Sequence, residues 1–145
     1  MKKAVLTGVL SLFTLGFVFG QTGIEKLPQV SRDYITQLFP SEQMTYVEKD
    51  EDFLSWNNDD MYEVHFSSGL ELAFNKAGEI TEIDAPKDQA IPAGVLPETI
   101  VSYIDANYSG VGVTSWELDG KNQEVELANG LDLEFDKSGN FKKID

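Results

Sequence analysis

Closely spaced carboxylates are the side chains of this sequence with the clearest chemical potential. Glu124 and Glu126 alternate with apolar residues, and Asp132 and Glu134 do the same after a turn. In a hairpin these four would share one face, with Glu126 opposite Asp132 and Glu124 opposite Glu134. Opposed like charges destabilise a sheet by about 0.2–1 kcal/mol per pair. The pattern fits a solvated acidic face, a site for a basic partner surface, or a calcium site, since calcium binds carboxylate oxygens.

A second acidic cluster lies in segment 50–60, which also holds three apolar side chains. Asp59 and Asp60 are candidate calcium ligands, although the segment lacks the spacing of an EF-hand loop. The apolar residues are Phe53, Leu54 and Trp56. They either fold back onto a sheet or contact a partner protein, because aromatic anchors ringed by polar groups are typical of binding hot spots.

Catalytic chemistry has little support in the sequence. The single histidine, His65, alternates with Val64 and Phe66, which places it on a polar strand face opposite Glu71 as a solvated cross-strand pair. The chain has no cysteine, so it has no thiol nucleophile or thiolate zinc site. No nucleophile motif or phosphate-binding glycine loop is present. We therefore expect a protein that is not an enzyme.

Length and charge limit the possible partners. The chain has 145 residues and a net charge of −14. Such acidity argues against nucleic acid, whose phosphates require a basic surface, and against anionic membranes. Hydrophobic residues make up 41%, enough to form a core.

The first twenty residues resemble a secretory signal peptide. A short basic start precedes an apolar run from Ala4 to Phe19, which is shorter than the roughly 20 residues that span a bilayer. We expect cleavage near Gly20, export to the periplasm, and no membrane insertion of the remaining chain.

The rest of the chain contains an internal repeat. Segments Glu63–Asp84 and Glu124–Asp145 share ten identical residues in 22 ungapped positions. The predicted organisation is a first repeat over 21–84, a linker over 85–90 and a second repeat over 91–145. The first copy carries about eight extra residues near 52–60.

Each repeat is predicted to fold as a helix followed by about four antiparallel strands. Pro28 and Pro97 suit a first helical turn. In the first repeat, the apolar helical positions are Val30, Tyr34, Ile35, Leu38 and Phe39. Four three-residue hairpin loops end in glycine, at Gly69, Gly78, Gly130 and Gly139. The last loop places Lys142 opposite Glu134. The predicted class is α+β, with the helices on one face of the sheet and the other face polar.

These residues carry a resemblance to a known family. The chain resembles the PepSY-like periplasmic proteins of Bacteroidetes in four features. They are Leu-Pro, a helix with Tyr-Ile, the pattern E-V-E-L-x-N-G-x-x-L-E-F-D-K-x-G-N and a final Ile-Asp. Those proteins are similar in fold to the β-lactamase-inhibitor protein. The resemblance implies a non-enzymatic periplasmic protein that binds or inhibits another protein, such as a peptidase or another cell-envelope protein. The alternative function is calcium binding or a response to calcium.

Overall fold

The protein is an eight-stranded antiparallel sheet with two helices, which confirms the predicted α+β class. The computed structural model describes residues 23–50 and 61–145. A single 3₁₀ turn precedes each helix, at Ile24–Lys26 and Ala93–Val95. The helices are α1 (Gln29–Leu38) and α2 (Glu98–Asn107). The strands are β1 (Met44–Lys49), β2 (Tyr62–Phe66), β3 (Glu71–Phe74), β4 (Ile80–Asp84), β5 (Val113–Asp119), β6 (Asn122–Leu127), β7 (Asp132–Asp136) and β8 (Phe141–Ile144).

The strands lie in the sheet in chain order, each antiparallel to the next. Strands β1–β4 follow α1, and β5–β8 follow α2; we call these groups the first half and the second half. The halves are joined because β4 pairs with β5, with Ile83 opposite Trp116. The eight strands therefore form one continuous sheet.

One row of apolar residues crosses the sheet on the face that packs against the helices. Successive cross-strand partners in this row are Val47, Val64, Leu72, Ile83, Trp116, Val125, Leu133 and Ile144. All are buried except Ile144, which lies on the edge strand. Full burial of each such side chain contributes about 1.5–3 kcal/mol. This face, which we call the inner face, therefore lines the hydrophobic core of the molecule.

Aromatic pairs attach each helix to its own half of the sheet. The ring of Tyr34 on α1 meets Phe74 edge to face, with centroids 5.8 Å apart. Tyr103 on α2 meets Phe135 in the same way at 5.5 Å. Such pairs add about 0.5–1.5 kcal/mol to the burial term. Burial also raises the pKa of Tyr34 to about 12.

The start of α1 differs from the sequence prediction in two details. Pro28 and Pro97 occupy the cap position, one residue before the first helical turn. Val30 is 58% exposed, whereas Ser31 is fully buried. The Ser31 hydroxyl donates to the Gly78 carbonyl oxygen at 3.0 Å, so a small polar residue occupies the face of α1 next to the hairpin turn.

The hairpin loops agree with the prediction. Gly69, Gly78, Gly130 and Gly139 have φ between 82° and 90°. This is the left-handed region, in which a Cβ atom is strained. In the third loop the Leu127 amide donates to the Leu131 carbonyl oxygen, which sets the register of β6 and β7.

Candidate functional site

The face of the sheet opposite the helices, which we call the outer face, carries a row dominated by glutamates. Each member is the direct cross-strand partner of the next, from β1 to β8. This glutamate row consists of Glu48, Glu63, Ala73, Glu82, Glu117, Glu124, Glu134 and Lys143. Six of its eight positions are acidic, which is unusual because opposed like charges are unfavourable in a sheet.

A second row lies beside it on the same face. This mixed row consists of Tyr46, His65, Glu71, Asp84, Ser115, Glu126 and Asp132. The two rows together carry ten carboxylates. Neighbouring strands lie about 4.8 Å apart, so the carboxylates form an extended acidic surface.

The register predicted for the four carboxylates of the second half is confirmed. Glu124 lies opposite Glu134, and Glu126 lies opposite Asp132. The predicted pairing of Glu134 with Lys142 is wrong in register, because an irregularity between Glu134 and Phe135 places Lys143 opposite Glu134. A bulge brings two residues of one strand opposite one residue of its partner.

Both lysines nevertheless reach Glu134. Lys142 Nζ contacts Glu134 Oε1, and Lys143 Nζ lies 3.2 Å from Glu134 Oε2. The hydrogen bond from Lys142 is the main cause of a lowered pKa of Glu134. This carboxylate is therefore stabilised in its charged form by residues of the protein itself.

Negative charge accumulates where the two halves meet. Glu82 of β4 lies opposite Glu117 of β5. In the mixed row, burial raises the pKa of Asp84, and the charges of Glu71 and Glu126 raise it further. The raised pKa of Asp84 shows that negative charge is concentrated in this part of the outer face.

The surroundings of His65 differ from the predicted solvated pair. Its Nδ1 lies 3.0 Å from Glu71 Oε1, which confirms the partner. However, its side chain is only 13% exposed. The Tyr46 ring covers it in a stacked arrangement, with centroids 4.2 Å apart and planes 17° apart.

A cluster of potential metal ligands surrounds this histidine. Glu48, Glu63 and His65 each offer a ligand atom, and these atoms lie within 4.8 Å of one another. Neither Glu48 nor Glu63 was a candidate from the sequence. Glu63 lies two residues before His65, so alternation along the strand places both on the same face. Glu48 joins the cluster only through the pairing of β1 with β2.

The remaining sequence candidates lie outside the described residues. These are the apolar residues Phe53, Leu54 and Trp56 and the acidic residues Asp59 and Asp60. In the sequence, that segment lies between the end of β1 and the start of β2.

Comparison with known proteins identifies the family. A family model described as "Putative beta-lactamase-inhibitor-like, PepSY-like" matches residues 60–143, more than half of the chain. The chain belongs to the PepSY-like family. No curated protein matches the sequence. In the described part of the chain, neither helix has the length or the apolar character needed to cross a bilayer.

Three solved structures resemble the chain at 32% sequence identity, each over 84% of its length. One is a "putative periplasmic protein of unknown function" from Bacteroides vulgatus, with 94% of its chain covered and a TM-score of 0.74. Another is a "putative calcium-regulated periplasmic protein" from Bacteroides thetaiotaomicron, with 92% covered and a TM-score of 0.75. The third, also described as a "putative periplasmic protein" from Bacteroides vulgatus, has 92% of its chain covered and a TM-score of 0.74.

Proposed function

We propose that this protein is a non-enzymatic periplasmic binding module whose outer face binds a basic surface of a partner protein. The observation that carries the proposal is the pair of acidic rows, which together hold ten carboxylates on one open face. Complementary charge on a partner would relieve the repulsion within the rows and speed the encounter of the two proteins.

A non-catalytic role agrees with the surroundings of the single histidine. Among the described residues, the side-chain hydrogen-bond partner of the His65 ring is the Glu71 carboxylate, not a hydroxyl group. A serine or threonine nucleophile would need such a contact with a base. The periplasmic location rests on the relatives described as periplasmic and on the proposed signal peptide over 1–20.

A more specific version of this function is inhibition of a peptidase or another cell-envelope protein. It is supported by the family description, which mentions β-lactamase-inhibitor-like proteins. In this form Phe53, Leu54 and Trp56 supply apolar anchors for the partner protein, in addition to the charge of the acidic rows. Tandem duplication of the helix-and-four-strand unit would have produced the extended face.

Capture from a periplasmic extract under low and high salt tests the acidic face. A triple variant, Glu124→Gln, Glu126→Gln and Asp132→Asn, should lose most of the captured partner. The matched control, Glu25→Gln, Asp88→Asn and Asp105→Asn, removes the same charge from exposed positions outside the two rows and should capture normally. Equal capture by both triple variants would contradict the proposal.

The apolar anchors have a separate test. Trp56→Ala should weaken capture without changing its salt dependence, because the tryptophan contributes apolar contact rather than charge. If Trp56→Ala captures the partner as well as the unmodified protein, segment 50–60 is not part of the binding surface.

A calcium-responsive role is the second candidate. It is supported by the relative described as calcium-regulated and by the grouping of Glu124, Glu126 and Asp132 on one face. Glu134, Asp59 and Asp60 complete the proposed ligands. Calcium that binds the folded state should raise the melting temperature.

The calcium test is a thermal melt at constant ionic strength, with magnesium as the control. A rise with calcium that Glu126→Gln reduces would support this role. No difference between the two ions at millimolar concentration would contradict it, because screening of the acidic face alone does not distinguish them.

A further inference from the structure

The contacts of the histidine on the outer face point to a bound cation. His65 has a carboxylate oxygen beside each ring nitrogen, Glu71 Oε1 at 3.0 Å from Nδ1 and Glu63 Oε1 at 3.3 Å from Nε2. A carboxylate only accepts hydrogen bonds, so Nδ1 must donate its proton to Glu71. That donation leaves Nε2 facing Glu63.

The Nε2 atom is buried and, among the described residues, has no hydrogen-bond partner. Its contact with Glu63 is short but lacks the geometry of a hydrogen bond. In the neutral ring, Nε2 with its lone pair would lie 3.3 Å from a negatively charged oxygen. The Nε2 lone pair and the Glu63 carboxylate repel each other unless a positive charge lies between them. This side of the ring is therefore suited to a cation.

From these contacts we infer that Glu48, Glu63 and His65 form a binding site for a zinc-like transition-metal ion. Imidazole nitrogen combined with carboxylate oxygen suits Zn²⁺, whereas calcium takes oxygen ligands. Two ligand atoms on a tetrahedral zinc ion stand about 3.4 Å apart. The distance between His65 Nε2 and Glu63 Oε1, 3.3 Å, already has this value.

The protein also orients the proposed ligands before metal arrives. The hydrogen bond to Glu71 selects the ring tautomer with a free Nε2, the arrangement found when a carboxylate supports a metal-binding histidine. The stacked Tyr46 ring holds the plane of the imidazole. Glu48 is exposed, lies opposite Glu63 and has a carboxylate oxygen within 4.8 Å of the other two ligand atoms, so it can supply the third protein ligand. Water would take the fourth position.

The second half provides an internal control. Glu117 and Glu124 are opposed there as Glu48 and Glu63 are in the first half, and Glu126 takes the place of His65. That cluster offers oxygen ligands only. The proposed zinc site shares Glu48 and Glu63 with the acidic rows but depends on the imidazole of His65. Zinc binding is measured without a partner protein, so its failure is distinguishable from failure of the binding function proposed above.

Isothermal titration calorimetry of the protein, prepared without a polyhistidine tag, tests the site with zinc chloride. We expect one zinc ion per chain at this site, and His65→Gln should weaken its binding at least about tenfold. Asp105→Asn, which removes an exposed carboxylate of α2 outside the two rows, should leave the affinity unchanged. If His65→Gln binds zinc as tightly as the unmodified protein, or if the unmodified protein does not bind zinc, the proposal is wrong.

Nuclear magnetic resonance gives a readout that does not depend on whether the variant folds. The chain has one histidine, so the two imidazole nitrogen resonances are unambiguous. Zinc should shift the Nε2 resonance to the position of a metal-bound nitrogen while Nδ1 keeps its proton. An Nε2 signal that remains unchanged at saturating zinc, or that shows only a protonated ring, would overturn the assignment.

Discussion

The two halves of the sheet share one layout but balance the charge of their outer faces differently. In the first half, the glutamate row places Ala73 opposite Glu82, and the mixed row contains His65. In the second half, the glutamate row places Glu134 opposite Lys143, and the mixed row contains Glu126 at the position equivalent to His65. The second half thus gains an internal ion pair, whereas the first half gains an imidazole between carboxylates.

The inner faces of the halves differ much less. Phe74 and Phe135 are both fully buried, and each meets a tyrosine of its helix edge to face. Inner-face side chains are close-packed, so a change of size is costly, whereas outer-face side chains meet solvent and can vary in charge. The comparison indicates that the scaffold lies in the inner face and the functional differences lie in the outer face.

Core substitutions should cause the largest loss of stability, and they test whether the two halves unfold together. Phe74→Ala and Phe135→Ala should each destabilise the protein by about 3–5 kcal/mol, because each removes a fully buried ring. Since β4 pairs with β5 in one sheet, chemical denaturation should show one transition for both variants. Two separate transitions, with only one shifted, would show that the halves are independent.

The next effect concerns the contact of each helix with a hairpin turn. Gly78→Ala should cost about 2–4 kcal/mol, the sum of a left-handed alanine and local overpacking. Its new Cβ would lie 2.8 Å from Pro28 Cβ on the rigid proline ring. Gly130→Ala is the matched control, because it has a similar φ and no atom within 4 Å; it should cost only about 1–2 kcal/mol. If chemical denaturation shows equal losses of stability for Gly78→Ala and Gly130→Ala, the contact with the helix does not explain the cost of Gly78→Ala.

The ion pair of the second half should make stability depend on pH. Lys142 and Lys143 hold the pKa of Glu134 below its ordinary value of 4.5 in the folded state. The charged carboxylate therefore stabilises the fold above that value, and the contribution is lost as the pH falls through the folded-state pKa. Thermal melts should show Glu134→Gln to be less stable than the unmodified protein at pH 7, with the difference shrinking below pH 4.5.

A neighbouring substitution serves as the control for this ion pair. Glu124→Gln removes a charge directly opposite Glu134 and should not destabilise the protein at pH 7, because it relieves like-charge repulsion. If both variants lose the same stability, the lysine contacts do not explain the effect of Glu134.

The smallest effect has the opposite sign and lies at the junction of the halves. Burial and the charges of Glu71 and Glu126 raise the folded-state pKa of Asp84 above its ordinary value of 3.8, so its charged form is unfavourable at neutral pH. Asp84→Asn should stabilise the protein at pH 7 by about 0.2–1 kcal/mol. This gain should disappear as the pH falls through the folded-state pKa towards 3.8. A loss of stability at pH 7 in thermal melts would contradict repulsion at the junction.

Local sequence patterns predicted much of this structure. Alternation of apolar and acidic residues identified the outer-face positions of Glu124, Glu126, Asp132 and Glu134, because side chains in a strand point alternately to opposite faces. Glycine at the last position of the 128–130 loop fixed the register of β6 and β7, since few other residues adopt a positive φ there. Both are short-range rules, and both were confirmed.

Other features depended on contacts that no local pattern contains. Ser31 is buried and Val30 is exposed because a hairpin turn 47 residues away receives the serine hydroxyl. The register of Lys143 depends on an irregularity in the strand pairing, which alternation alone does not predict. His65 is largely covered because Tyr46 of β1 stacks on it.

The sequence by itself therefore determined the class of fold, the register of β6 and β7 and the acidity of one sheet face, because these follow from side-chain alternation, glycine conformation and charge. Only the tertiary structure decided that the eight strands form one sheet and that Glu48 and Glu63 meet His65. The physical reason is that pairing of β4 with β5 and of β1 with β2 joins residues distant in the chain. Side chains brought together by such pairing acquire their burial and their electrostatic partners only in the folded protein.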